Sequence, residues 1–375
     1  FNLDEEVNAD ILIIGGGGSG ASSIGGGGGA GGVVYVEKIN LEKDVYNINV
    51  GSGGAGILTS INAYSAQRGY SGKNSFIKKS DNSYVSYTDF NLIGKGGAGG
   101  ASYGSVNSAQ STGSHATTNN DLINIPGGSG GGQGAYHKST FIALPETDLQ
   151  GNTYWDGTAF VKGGYTGGIA NNGSYGLGTG GGGAGGPGIG NTGGNNNYDS
   201  GDSDGGPGIS NSITGISKFY AGGGGGGANE NTTSLSELKC GKGGSGIGGN
   251  GVANGGAINV NSVYVSPFDG TEDDKYINTY SLGLSGYTEA RATIYMLSAG
   301  NGVDGTGSGG GGGGYHPDPG SSYGTDPKHR LATAQHSGSG GSGIVIIRFP
   351  KPYTPIENTP PITSSLPATI IKPTL

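Results

Sequence analysis

Cysteine, methionine and tryptophan each occur once in 375 residues, and charged side chains make up only 12% of the chain. The lone Cys240 excludes an intramolecular disulfide, so a secreted chain of this composition has to be held by packing or assembly. Its neighbours, Leu238-Lys239-Cys240-Gly241-Lys242, offer no general base, and the thiol reads as a small buried or loop residue. Long apolar runs are also missing: no stretch approaches the roughly 20 residues of a membrane-crossing helix. No signal peptide is recognisable, and a first residue of Phe1 reads as a removed leader or a missing start. Basic clusters are absent too. With 19 Lys and Arg against 27 Asp and Glu, the net charge is −8, and no patch is available to release counterions from phosphate, so nucleic acid is not an expected partner. The five histidines, His115, His137, His316, His329 and His336, lie far apart without metal-ligand spacing. No metal, cofactor or catalytic residue is expected.

Glycine takes the place of what is missing, with 89 residues. The first tract follows the apolar run Ile11–Ile14, and Gly15, Gly17 and Gly20 fit the G-x-G-x-x-G of a dinucleotide-binding turn, with Val33-Val34-Tyr35-Val36-Glu37 as a second strand ending in an acid. The crossover has to be a helix. Residues 21–32 contain seven glycines in twelve, each costing about 1 kcal/mol against alanine in a helix. A total near 7 kcal/mol matches the whole stability of a domain. No helix is expected there, and no helix N-terminus faces a pyrophosphate. Gly94-Lys95 and Gly241-Lys242 lack the spacing and the following Ser/Thr of a phosphate loop.

The remaining pattern is one of short strands. Segments 11–14, 33–37, 45–50, 74–77, 84–87, 90–93, 140–143, 258–265, 276–284, 291–297 and 344–349 have strand length and β-rich content. Tyr46 to Val50 alternates polar and apolar residues, as does Asn259 to Val265 with one slip, which predicts one buried and one wet face. Only Ser234 to Lys239 hints at a helical turn. The expected class is all-β, a sandwich or jelly roll.

Glycine tracts recur from residue 15 to 343, broken by Ala and Ser more than by charge. Ordering them is costly unless their peptide groups are regularly hydrogen-bonded. Two arrangements meet this constraint: solvated flexible loops, or extended threefold helices of polyglycine II type packed side by side. The packed bundle is the favoured expectation. Asp199, Asp202 and Asp204 supply oxygen ligands of the kind Ca²⁺ accepts but lack the closing acid of an EF-hand, and read as a solvated turn. Asn172-Gly173-Ser174 and Asn231-Thr232-Thr233 make Asn172 and Asn231 glycosylation acceptors in a eukaryotic secretory context. Tyr136, Tyr154, Trp155 and Tyr165 are candidates for stacking on sugars.

The strand-GGGGSG at 11–20, the run from Gly25 to Tyr35, Asn47 to Gly54, Tyr220-Ala221 before the Gly222 run, and Gly341 to Phe349 together carry a resemblance. Over roughly residues 7–350 the chain resembles the glycine-rich domain proteins of phage tail fibres, large algal viruses and environmental bacteria. The resemblance implies an extracellular, cell-surface or virion-surface role in fibres or adhesins, and supplies no reaction. A polar insert around 103–160 and a proline-rich tail after Phe349 depart from the common pattern.

Two domains are expected: a glycine-rich body at 1–349 and an extended tail at 350–375. The tail spaces Tyr353, Ile356, Ile362, Leu366, Ile370, Ile371 and Leu375 between prolines that forbid helix and central-strand pairing. At about 3.1 Å per residue it reaches roughly 80 Å. The expected function is a self-assembling fibre subunit, joined head to tail through this segment. The alternative is a receptor- or carbohydrate-binding adhesin, with surface glycans as partners.

Overall fold

The computed structural model describes residues 1–57, 67–88, 90–102, 128–134, 153–155, 159–162, 164–169, 177–190, 203–228, 240–252, 276–281, 291–296, 299–314 and 336–349. Among them there is no α-helix, only a 3₁₀ turn at Gly244–Gly246, and the class is all-β. The expected strands at 140–143 and 258–265, the helical turn at 234–239 and the whole tail lie outside the described residues.

The apolar run at the start of the chain forms β1 (Val7–Ile14), and Val33–Leu41 forms β2. They pair antiparallel, with Ile14 opposite Val33 and Ile11 opposite Val36. A bulge at Lys38, with φ of 54°, shifts the register so that Val7 meets Leu41. The Lys38 N–H donates to Asp10 Oδ1 at 2.8 Å, which fixes the bulge. The shorter strands are β3 (Asn47–Asn49), β4 (Ser75–Lys78), β5 (Ser86–Tyr87), β6 (Phe90–Asn91), β7 (Ile93–Gly94), β8 (Thr153–Trp155), β9 (Ala159–Lys162), β10 (Ile209–Asn211), β11 (Lys218–Tyr220), β12 (Tyr276–Ser281), β13 (Arg291–Met296) and β14 (Ile344–Arg348). A five-stranded sheet runs β14-β1-β2-β9-β8 and a three-stranded one β3-β4-β7. The pairs β5-β6, β10-β11 and β12-β13 stand apart.

Period-two alternation explains why the second half of β1, Ile11–Ile14, is wholly apolar: it is buried on both faces, whereas Asn8 and Asp10 in the first half reach solvent. Ile11 and Ile13 join Val34, Val36, Val345 and Ile347 in a cluster with Tyr46, Ile77 and Leu92 from the side of the smaller sheet. Leu12 and Ile14 face the other way, onto Tyr35, Ile213, Tyr220, Ala30 and Ala184. In 46–50 the alternation is as expected, with Tyr46 buried, Asn47 and Asn49 exposed, and Ile48 and Val50 against the core. At the outer end of the large sheet the Phe1 ring stacks on Tyr46 at 5.1 Å and meets Phe349 edge-on at 6.2 Å.

Past Ile14 the chain stays extended, but its bonding changes from two-sided to three-sided. The N–H groups of Gly15, Gly18 and Ala21 donate to the carbonyls of Gly32, Gly29 and Gly26. Those of Gly16, Ser19 and Ser22 donate to Lys73, Tyr70 and Gln67, and those of Gly17 and Gly20 to Gly341 and Gly338. Partners recur every third residue, the signature of a threefold helix. Gly243, at φ −69° and ψ 143°, has the matching backbone. The second tract obeys the same rule, with Gly26, Gly29 and Gly32 donating to Ala101, Ala98 and Lys95, and Gly25, Gly28 and Gly31 to Gly313, Gly310 and Gly307.

Tracing these bonds through the described residues gives sixteen tracts on a hexagonal lattice in four rows. The first row holds 67–73, 95–102, 128–134 and 164–169. The second holds 51–57, 15–22, 25–32, 177–184 and 186–190. The third holds 336–343, 307–314, 222–228 and 203–208, and the fourth 299–303, 248–252 and 240–244. Tracts 15–22, 25–32, 177–184, 222–228 and 307–314 are each surrounded by six others. Of the two expected arrangements, the packed bundle is the one present in these residues.

The spacing demands glycine. A Cβ on Gly26 would lie 2.1 Å from the Gly132 carbonyl oxygen, and one on Gly224 would lie 2.0 Å from that of Gly310. Both obstacles are backbone and cannot rotate away. Gly26→Val and Gly224→Val should each lower stability by about 3 kcal/mol or more. Ser52→Val, on an exposed position of the perimeter, should stay within about 0.5 kcal/mol. Denaturant midpoints of the three variants check the contrast.

Candidate functional site

The bundle has two unlike ends. At one, the tracts continue into strands: β1 leads into 15–22, β3 into 51–57, β7 into 95–102 and β11 into 222–228, while 25–32, 67–73, 203–208 and 336–343 lead into β2, β4, β10 and β14. This base also holds Phe1 and Phe349. The opposite end is marked by the turn at Ser22-Ser23-Ile24. There Ser23 and Ile24 have φ of 56° and 48°, and the Ile24 N–H donates to Gly314 O. A β-branched residue in the left-handed region is uncommon; Ile24 is fully buried there.

The flanking residues of six inter-tract segments gather at this tip. Ile57 accepts from Ser337, and Gln67 from Ser22; Val252 donates to Gly312, and Ala299 to His336; Leu177 bridges Ala228. Gly226 donates to Ser203, and Gly241 to Gly226. Segments 58–66, 170–176, 191–202, 229–239, 253–298 and 315–335 therefore each enter and leave at the tip. The β12-β13 hairpin belongs to 253–298.

The dinucleotide reading of Gly15–Gly20 is closed off by the same bonds. All six N–H groups of that turn are donated to other tracts, so none is left to meet a phosphate, and residues 21–32 continue as bundle rather than helix. Asp204, one of the aspartates weighed for Ca²⁺, accepts the Lys242 N–H on Oδ1 at 2.7 Å; Asp199 and Asp202 lie outside the described residues. Among the described residues no group of His, Cys, Asp or Glu is placed to hold a metal.

Asp204 exemplifies a role that the sequence reading missed. Perimeter tracts have N–H groups pointing away from the lattice, and short polar side chains cap them. Asn74 Oδ1 accepts from Gly96, Asn250 from Gly243, Asn301 from Ser339 and Asp304 from Ser342, at 2.8–2.9 Å. Asn301 and Asp304 are one threefold turn apart, as are their donors, which is the signal available in the sequence. Such caps satisfy the donors that a bundle of finite width leaves over.

Of the residues weighed for ligand contact, Tyr165 sits half-buried in tract 164–169. Tyr154 and Trp155 fall in β8, on the base side. Tyr136 and His115, His137, His316 and His329 are outside the described residues. So are Asn172 and Asn231, whose segments begin and end at the tip, and so are Tyr353, Ile356, Ile362, Leu366, Ile370, Ile371 and Leu375. Cys240 is buried at the tip end of its tract. No helix among the described residues is long and apolar enough to cross a membrane.

A family model, the glycine-rich domain, matches residues 2–210. The chain belongs to this glycine-rich domain family. The match takes in the large sheet's β1 and β2, the surrounded tracts 15–22, 25–32 and 177–184, and the chain as far as tract 203–208. No curated protein matches the chain.

His336 is a titratable group among the described tip residues of this glycine-rich domain. His336 is half-buried between tracts 51–57 and 299–303, and its Nδ1 is buried with no hydrogen-bond partner. Burial lowers its pKa, opposed in part by a hydrogen bond to the Ile57 backbone. A histidine depressed below its ordinary value near 6.5 is neutral in the fold while the unfolded chain still takes up a proton. Stability is therefore full above that value and falls as the pH drops through it toward the folded pKa. His336→Gln should flatten this part of the decline between pH 7.5 and pH 5.5 in denaturant titrations; an unchanged slope would assign it elsewhere.

Proposed function

We propose that the chain is a non-enzymatic recognition subunit of an extracellular fibre or surface structure, on a virion or a cell. Its base is read as a two-sheet β-sandwich and its tip as a set of segments that meet a receptor or a surface glycan. The observation that carries this reading is the polarity of the bundle: six segments enter and leave at the tip, while Phe1 and Phe349 lie together at the base. A lattice bonded through its backbone holds each segment by both ends, so its sequence is free to vary without loss of the fold. This is how binding residues are commonly arranged, on loops positioned by a rigid scaffold. Of the two functions raised by the sequence, this polarity favours the adhesin over the head-to-tail filament. The tail at 350–375 then joins copies of the chain to one another at the base, since it follows Phe349 on the side away from the tip.

The test uses two variants of the full chain. In the first, residues 254–297 or 316–334 are replaced by a short Gly–Ser linker. In the second, the chain stops after Phe349. On a glycan array, the parent should retain a defined glycan class, and the linker variants should lose or change it while melting close to the parent. The truncated variant should keep the binding and lose self-association in sedimentation. A linker variant that binds like the parent would remove the tip from the reading, and a truncated variant that still self-associates would remove the tail.

A further inference from the structure

We infer that residues 336–349 form a tension member that links tip to base through one straight run of covalent chain. The inference rests on the tip-and-base geometry alone and holds whatever the tip binds. Tract 336–343 passes directly into β14, so the backbone is extended from His336 at the tip to Phe349 at the base. At about 3.1 Å per residue in the tract and about 3.3 Å in the strand, it is close to the limit of roughly 3.3–3.6 Å that a chain can reach. A pull along this line has almost no slack to take up.

Lateral bonds hold the run in place along its whole length. Ser337, Gly338, Gly340, Gly341 and Gly343 donate to Ile57, Gly311, Gly54, Ser308 and Gly51. His336, Gly338, Ser339, Gly341 and Ser342 accept from Ala299, Gly20, Gly302, Gly17 and Gly307. Beyond them β14 pairs with β1 from Ile344 opposite Ile14 to Arg348 opposite Asp10. All these bonds lie across the direction of pull and keep the run seated while its covalent backbone carries an axial load. A load applied between the two chain termini acts differently. Phe1 and Phe349 lie side by side at the base, where such a load meets the bonds of Phe1 and Leu3 to Tyr46 and Asp44 on one side and, between β1 and β14, the pair closed by the Arg348 Nε to Asp10 Oδ2 bond at 2.8 Å. The ladder then unzips pair by pair.

Single-molecule force spectroscopy on the full chain with Cys240→Ser separates the two cases. One arrangement holds the N- and C-termini. The other holds the C-terminus and a cysteine placed in the 315–335 segment, Ser321→Cys, with Ser322→Cys as the second variant should the first fail to fold. Pulling the termini should give stepwise lengthening as β14 leaves β1. Pulling from residue 321 should give only the extension of the 315–335 segment and the tail, with the unzipping steps absent at forces that have already opened the first arrangement. Lengthening that includes residues 336–349 at the same or lower force in the second arrangement would overturn the inference.

Discussion

Backbone-to-backbone packing at a distance that excludes a Cβ is the constraint from which the rest of this structure follows. When a threefold helix has glycine on the side facing a neighbour, the N–H of one tract reaches the carbonyl of the next directly, and the lattice closes without side chains. Burying peptide groups is favourable only if they are paired, and here pairing is complete enough for five tracts to lie fully inside. The cost of ordering glycine is met by these bonds, in place of the apolar area that stabilises an ordinary core.

The glycines of the lattice carry no side-chain code for register, so the register comes from the strands, with side chains such as Ser19, Ser22, Thr179 and Asn301 fixing individual contacts between tracts. Ile14 opposite Val33 is followed without a break by Gly15 bonded to Gly32, Gly18 to Gly29 and Ala21 to Gly26. The apolar faces of β1 and β2 are therefore what align the first two tracts, and β14 does the same for 336–343. The sheets and the bundle are one continuous object, in which apolar packing at the base determines polar pairing toward the tip.

This division explains what was legible in the sequence. β1, β2 and β14 carry β-branched runs that only a strand between two apolar layers uses, and they were readable as such. β8, β9, β10 and β11 were not: three or four residues such as Ile209-Ser210-Asn211, set among glycines, give too short a pattern. That the Gly15–Gly20 motif was no nucleotide site could be argued from the glycines after it, which forbid a crossover helix. Which tract neighbours which was not legible, because identical glycines fit every place in the lattice. Nor was the tip, which exists only once the direction of each tract is known. The three-residue spacing of Lys95, Ala98 and Ala101, all buried, and of Asn301 and Asp304 was a visible trace of threefold order.

Amide hydrogen exchange resolved to single residues tests the central claim most directly. If the tracts are hydrogen-bonded threefold helices, the amides of 25–32 exchange as slowly as those of β1 and β2, because both open only when the whole body unfolds. Exchange of Gly26 to Gly29 at the rate of free peptide, beside protected strands, would contradict the account and return the tracts to flexible loops.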